Sequence, residues 1–205
     1  MQQQQKGNSE VSRVILASGS PRRKALLGQM GIEPEVQVMG IDETPLPGEE
    51  AQRYVCRLAT EKARAAAELI GASAAHERYI IAADTAVVCA GAVLGKPADF
   101  AEATSFWRRL SDSQHTVLTY VALWHAGSVS GALSRSTVTF GKIPEENFTR
   151  YWASGEPLDK AGGYAIQGQA AAWVERIEGS YTGIMGLPLF ETRALLLAAG
   201  LKGLL

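Results

Sequence analysis

Cysteine is scarce in this chain of 205 residues: Cys56 and Cys89 lie far apart and form no CxxC pair. With three scattered histidines, His76, His115 and His125, they give a Cys/His zinc site little support. Both cysteines read as small buried apolar side chains in a reducing compartment. No apolar stretch of about 18 residues occurs, so no membrane span is expected. The formal net charge of −1 supplies no global field that would recruit nucleic acid or an acidic membrane, so any positive site must be local. The polar, Gln-rich segment 1–10 lacks the apolar core of a signal peptide and reads as a disordered tail. The expected location is the cytoplasm. Apolar residues at 46% and charged residues at 20% fit a soluble globular protein, read here as a single domain over 11–205.

The most informative string is Leu16-Ala17-Ser18-Gly19-Ser20-Pro21-Arg22-Arg23-Lys24. A short apolar strand hands over through small residues to a helix with Pro at its first position, where a missing N–H costs nothing. Two hydroxyls, Ser18 and Ser20, and two guanidinium groups, Arg22 and Arg23, gather at that helix start. Such an end carries free N–H groups and partial positive charge. Planar forks suit phosphate oxygens. A plain helix cap is the alternative, but cations in a first turn oppose the helix dipole unless an anion compensates.

Periodicity predicts strands over 14–16 and near Val36 and Val38, with a helix over 21–30 between them. A Pro/Gly-rich loop precedes a long helix over 51–70, whose apolar stripe is Val55, Leu58, Ala59, Ala63 and Ala66. A strand over 79–89 turns at Ala90-Gly91 into a hairpin arm at Val93 and Leu94. Asp99 and Glu102 resemble a capping box for a helix ending near Leu110. Strands over 116–124 and 129–140 flank the Ala126-Gly127 turn, and a helix from Pro144 to near Gly155 follows. Further strands are read over 164–168 and 172–177, and a closing helix over 188–199 is capped by Gly200. Hairpins interleaved with helices imply an α/β fold built on a mixed sheet.

Several residues sit against the local pattern. Asp84 interrupts the apolar run from Ile80 to Val88, and an ionised carboxylate buried there needs partners. It reads either as a strand-end aspartate bonded to local backbone or as a carboxylate aimed into a cleft, holding a metal or a water. Thr85 offers a small hydroxyl beside it. Asp42 and Glu43 are loop acids, solvated unless they join Asp84 in supplying oxygen ligands to Mg²⁺. Lys62 follows Glu61 on the long helix and, taken alone, is a routine solvent-facing residue. Lys96, in Leu94-Gly95-Lys96-Pro97, is a cation with limited backbone freedom. Gln167 closes the string from Asp159 to Gly168. Its amide either satisfies strand-edge backbone or matches the donor and acceptor edge of a uracil or thymine ring.

Together the strings LASGSPRRKALL, EKARA, AADTAVV, LGKP, LDKAGGYAIQG and VERIEGSYTGIMGLPL resemble the Maf nucleotide pyrophosphatases, also called septum-formation-inhibitor Maf-like proteins. The likeness runs in the family's order from about Val14 to Leu197. It implies an elongated mixed sheet flanked by helices with a central cleft, similar to the inosine triphosphatase-like fold. It also implies a metal-dependent hydrolase, using Mg²⁺ or Mn²⁺, that cleaves nucleoside triphosphates to monophosphate and pyrophosphate. By resemblance Asp84 matches the proton acceptor, Arg22, Thr85 and Gln167 match positions tied to base selection, and Ser18, Arg23, Glu43, Lys62 and Lys96 match other cleft positions. Glu43 and Asp84 are the expected metal ligands. The IQG string resembles the branch acting on dTTP and UTP, with CTP or modified pyrimidines as further candidates, in a house-cleaning or division-linked role. A homodimer is implied. Two departures, AADT for the commoner GADT and isoleucine and methionine in TGIMGLPL, remove no chemical group. The alternatives are a pyrophosphatase for purine or 7-methyl-GTP-type nucleotides and a non-catalytic nucleotide-binding division regulator.

Overall fold

The computed structural model describes residues 13–204, and the expected tail over 1–10 lies outside them. Among the described residues, seven strands form one mixed sheet: β1 (Val14–Leu16), β2 (Glu35–Val36), β3 (Tyr79–Cys89), β4 (Ala92–Leu94), β5 (Ser113–His125), β6 (Ser128–Phe140) and β7 (Val174–Glu178). Their order is β2-β1-β3-β5-β6-β7, with β4 paired to β3. β1 is parallel to β2 and β3, whereas β4 on β3 and β7 on β6 are antiparallel. The helices are α1 (Pro21–Gln29), α2 (Ala51–Ile70), α3 (Ala72–Ala75), α4 (Phe100–Leu110), α5 (Phe148–Ala153), α6 (Tyr181–Ile184) and α7 (Leu189–Ala198). The expected mixed sheet flanked by helices is what the chain forms.

Local chemistry explains the boundaries. Ala90 and Gly91 at φ 48° and 77°, and Ala126 and Gly127 at 49° and 82°, make the left-handed two-residue turns that match strand twist. Asp99 caps α4 by accepting from Glu102 N at 2.8 Å, while Glu102 reaches back to Ala98 N at 2.7 Å. The segment expected to be a strand over 164–168 is instead a turn, in which Gly168 N donates to Ala165 O at 3.1 Å. Left-handed Gly162 and Gly163 just before it bend the chain out of extended geometry.

Two compact units are distinguished by their contacts. The first contains the chain up to Asp84, Thr119–Ser134 and everything from Gly186; the second contains Thr85–Leu118 and Arg135–Met185. In the first, Ile15, Ala17, Ile80, Ala82 and Ala122 of the sheet side pack on Ala59, Ala63, Ala66 and Ala67 of α2. Alanines on the helix's inner face let its backbone lie close to the strands. The second unit's core is aromatic. Trp107 stacks at a tilt on Phe148 and Tyr151 at centroid distances of 5.2 Å, and its indole N–H donates to Gly163 O at 2.8 Å.

That aromatic core also holds His115, 3% exposed, with Nε2 2.7 Å from Tyr164 Oη. Its Nδ1 has no hydrogen-bond partner among the described residues. Burial lowers its pKa from 6.5 to about 4. Between those values the unfolded chain holds the extra proton, so stability falls as pH drops through this window and is unaffected above it. Urea unfolding at pH 7 and pH 4.5 is expected to show a loss on acidification roughly 2–3 kcal/mol smaller in His115→Gln than in the parent protein. Equal losses would remove His115 from the account.

Candidate active site

The turn between β1 and α1 is pinned to β3, because Ala17 N donates to Ile81 O at 2.8 Å. Ser20 occupies the N-cap position in extended conformation, followed by Pro21, but its hydroxyl makes no capping bond among the described residues. Ser18 organises the turn: its Oγ accepts from Ser20 N at 3.2 Å and from Arg23 Nη1 at 3.0 Å. Arg23 Nε donates to the carbonyl of Gly186 at 2.8 Å, on the segment that leads into α7. Burial pulls the Arg23 guanidinium below the ordinary arginine range. Asp84 opposes that shift, Arg22 reinforces it and Glu43 opposes it. Arg22 and Arg23 stand in the first turn of α1, at the positive end of the helix, a placement suited to an anion.

Asp84 lies on β3 and is 8% exposed, as is Lys62 on the inner face of α2. Lys62 Nζ stands 2.8 Å from Asp84 Oδ1 and 2.6 Å from Glu43 Oε1. The solvent-facing reading of Lys62 is thus replaced: its ammonium joins a carboxylate from a strand to one from a loop. An unpartnered ammonium at this depth would cost several kcal/mol, so the Lys62 charge depends on the two carboxylates.

Helix α2 also holds the loop that carries Glu43. Tyr54 Oη donates to Glu43 O at 2.9 Å, and Arg57 Nη2 donates to Thr44 O at 3.2 Å. Arg57 grips Glu49 with two bonds of 2.7 Å, and Glu49 Oε2 accepts from Leu46 N at 3.0 Å. The Arg57 guanidinium, through these bonds, holds the Glu49 carboxyl down to about 2. Asp42 Oδ1 accepts from Thr44 N at 2.9 Å, closing an Asx turn. Tyr54, Arg57 and Lys62 thus fix the acidic loop from one helix. Tyr54, Arg57 and Glu49 are not among the residues that the sequence singles out. Their only signal was an aromatic and an arginine three apart on the helix that bears Lys62.

Asp84 and Glu43 each direct an oxygen onto one positive charge, the Lys62 ammonium. Each carboxylate has a second oxygen besides the one on Lys62 Nζ, and hard oxygens of this kind suit Mg²⁺ or Mn²⁺. Among the described residues no group of three or more His, Cys, Asp or Glu is placed to hold a metal ion.

Ser18, Ser20, Arg22, Arg23, Glu43, Lys62 and Asp84 all belong to the first unit; Thr85, Lys96 and Gln167 belong to the second. Thr85 follows Asp84 on β3 and is half-buried. Lys96 is exposed after β4, next to Gly95, whose carbonyl accepts from Gly162 N at 2.9 Å. Gln167 is exposed within the turn closed by Gly168. No helix among the described residues is long and apolar enough to cross a membrane.

A family model described as Maf-like protein matches residues 13–199. A dTTP/UTP pyrophosphatase of Hahella chejuensis is 47% identical over 196 residues, covering 96% of each chain. Proteins of the same name from Dechloromonas aromatica and Burkholderia pseudomallei are 44% and 48% identical. They cover 94% and 91% of this chain and 100% and 93% of their own.

Proposed function

This chain belongs to the Maf family, and we propose that it hydrolyses dTTP and UTP to the nucleoside monophosphate and pyrophosphate. The observation that carries this reading is the buried Lys62 ammonium shared by Asp84 and Glu43, set in the same unit as the cationic start of α1. The names of relatives 43–48% identical over most of the chain support the substrate.

Arg22, Arg23 and the N–H groups of α1 take the phosphate oxygens, and Lys96, in the second unit, is a further candidate substrate-binding cation. A fixed positive field of this kind stabilises the charge that builds on the leaving pyrophosphate. Asp84 accepts a proton from the attacking water as its oxygen bonds to the α-phosphorus. The bond from that phosphorus to the bridging oxygen breaks, and pyrophosphate leaves. Lys62 keeps the Asp84 carboxylate oriented and neutralised between turnovers. Asp84 and Glu43 would hold Mg²⁺ or Mn²⁺, which when bound supplies Lewis-acid polarisation of the phosphate and a more acidic water. Gln167 reads the O4 and N3–H edge of thymine or uracil, and Thr85 leaves room beside the base. A pocket that pairs such groups rejects a base that leaves them unpaired. Family resemblance favours a cytoplasmic homodimer.

A pyrophosphate-release panel of dTTP, UTP, CTP, GTP and 7-methyl-GTP, with and without Mg²⁺ or Mn²⁺, tests the reading. Fastest release from dTTP and UTP is expected. A preference for GTP or 7-methyl-GTP overturns the base assignment, and no release from any nucleotide overturns the enzyme.

A further inference from the structure

The second unit contains a polar clamp that the catalytic reading leaves unused. Glu156 is half-buried just after α5, and its carboxylate accepts three bonds: from Tyr151 Oη at 2.8 Å, from Gln169 N at 2.8 Å and from Ala170 N at 3.4 Å. Tyr151 Oη, buried in the aromatic core, in turn accepts from Ala165 N at 3.2 Å. These bonds fall on both sides of Gln167. Ala165 is held two residues before it, and Gln169 and Ala170 are held just after it. Between them the Ala165–Gly168 turn closes on its own backbone bond of 3.1 Å.

Gly168 shows how closely the clamp fits. A Cβ on that residue would lie 2.3 Å from the Glu156 carboxyl carbon and Oε2. Only a residue without a side chain lets the carboxylate reach the N–H groups beyond it. The Gln167 side chain itself is exposed and makes no part of the clamp. What the clamp fixes is the backbone from which that amide projects. Buried or half-buried bonds to a charged carboxylate are among the stronger ones in proteins, and the phenol between them links the turn to the packed core.

We infer that Tyr151 and Glu156 are positioning residues for base selection, holding the Gln167 turn in the one geometry that lets its amide meet a pyrimidine edge. This rests on the reading of Gln167 given above. A misplacement of about 1 Å is enough to disrupt an aligned hydrogen-bond pair. The wrong bases are rejected only while the amide is held, so loosening the turn lowers discrimination more than it lowers turnover.

The test compares kcat/KM for dTTP, UTP, CTP and GTP in the parent protein, Glu156→Gln, Tyr151→Phe, Gln167→Ala and the double variant Glu156→Gln/Gln167→Ala, with thermal melts as fold controls. Tyr151→Phe keeps the ring in the core and removes only the bridging hydroxyl, so it carries the test if Glu156→Gln folds poorly. The dTTP-to-GTP ratio is expected to fall about tenfold in Glu156→Gln and in Tyr151→Phe. The double variant is expected to fall no further than Gln167→Ala alone, because the clamp acts through Gln167. If Gln167→Ala changes the ratio and the two clamp variants lower all four substrates equally, the clamp is structural and the inference fails. If Gln167→Ala itself leaves the ratio unchanged, the base assignment of Gln167 fails first.

Discussion

Asp84→Asn is expected to lower kcat on dTTP by on the order of 10³-fold while leaving the protein folded. The amide retains an oxygen for Lys62 Nζ, which now sits 2.8 Å from Oδ1, and Glu43 stays 2.6 Å away to neutralise the ammonium. The ion cluster therefore loses one charge without losing all its geometry, and the surrounding strand is buried whichever residue stands there. What disappears is the carboxylate proposed to accept the proton. Steady-state pyrophosphate release together with circular dichroism separates the two effects. Unchanged kcat in a folded variant would remove Asp84 from the reaction.

The second large effect falls on Lys62→Met. Methionine fills a similar volume but removes the ammonium that both Asp84 and Glu43 touch, leaving them only the weaker field of Arg23. Breaking a buried pair costs about 3–5 kcal/mol. The lower end is expected here, because the Glu43 side chain is 44% exposed and can turn to water. Turnover is expected to fall at least about 100-fold, since both carboxylates lose the group that aims them. Lys62→Arg is the informative companion: its planar fork is wider than an ammonium and does not restore the spacing. Urea unfolding reads the first effect and kcat the second. Parent-like stability and turnover in Lys62→Met would show that the three charges are independent.

Much of the fold was legible because its elements carry strong local signals. β1, α2 and β3 form over the residues expected from apolar runs and the 3.6-residue stripe, and the Ala-Gly turns gave away both hairpins. The segment 164–168 misled because alternation of tyrosine, alanine and isoleucine mimics a strand. Its geometry is set instead by Tyr151 and Glu156, whose grip spans 14 and 13 residues and leaves no local trace. The candidate site divides in the same way. The burial of Asp84 and the gathering of Arg22 and Arg23 at the start of α1 were legible in residue type and placement. The burial of Lys62 was not, since an adjacent Glu61 makes it look like surface. The partner of Arg23 Nε is a backbone carbonyl 163 residues away, and a carbonyl carries no sequence signature at all.

The alanine-lined inner face of α2 has one more implication. Lys62 reaches Asp84 because Ala59, Ala63 and Ala66, all fully enclosed, let the helix axis ride low over the strands. Those methyl groups work as shims that set the standoff of a charged lever. Thickening any of them would lift the ammonium from its oxygens, so residues with no chemistry of their own govern where that charge sits.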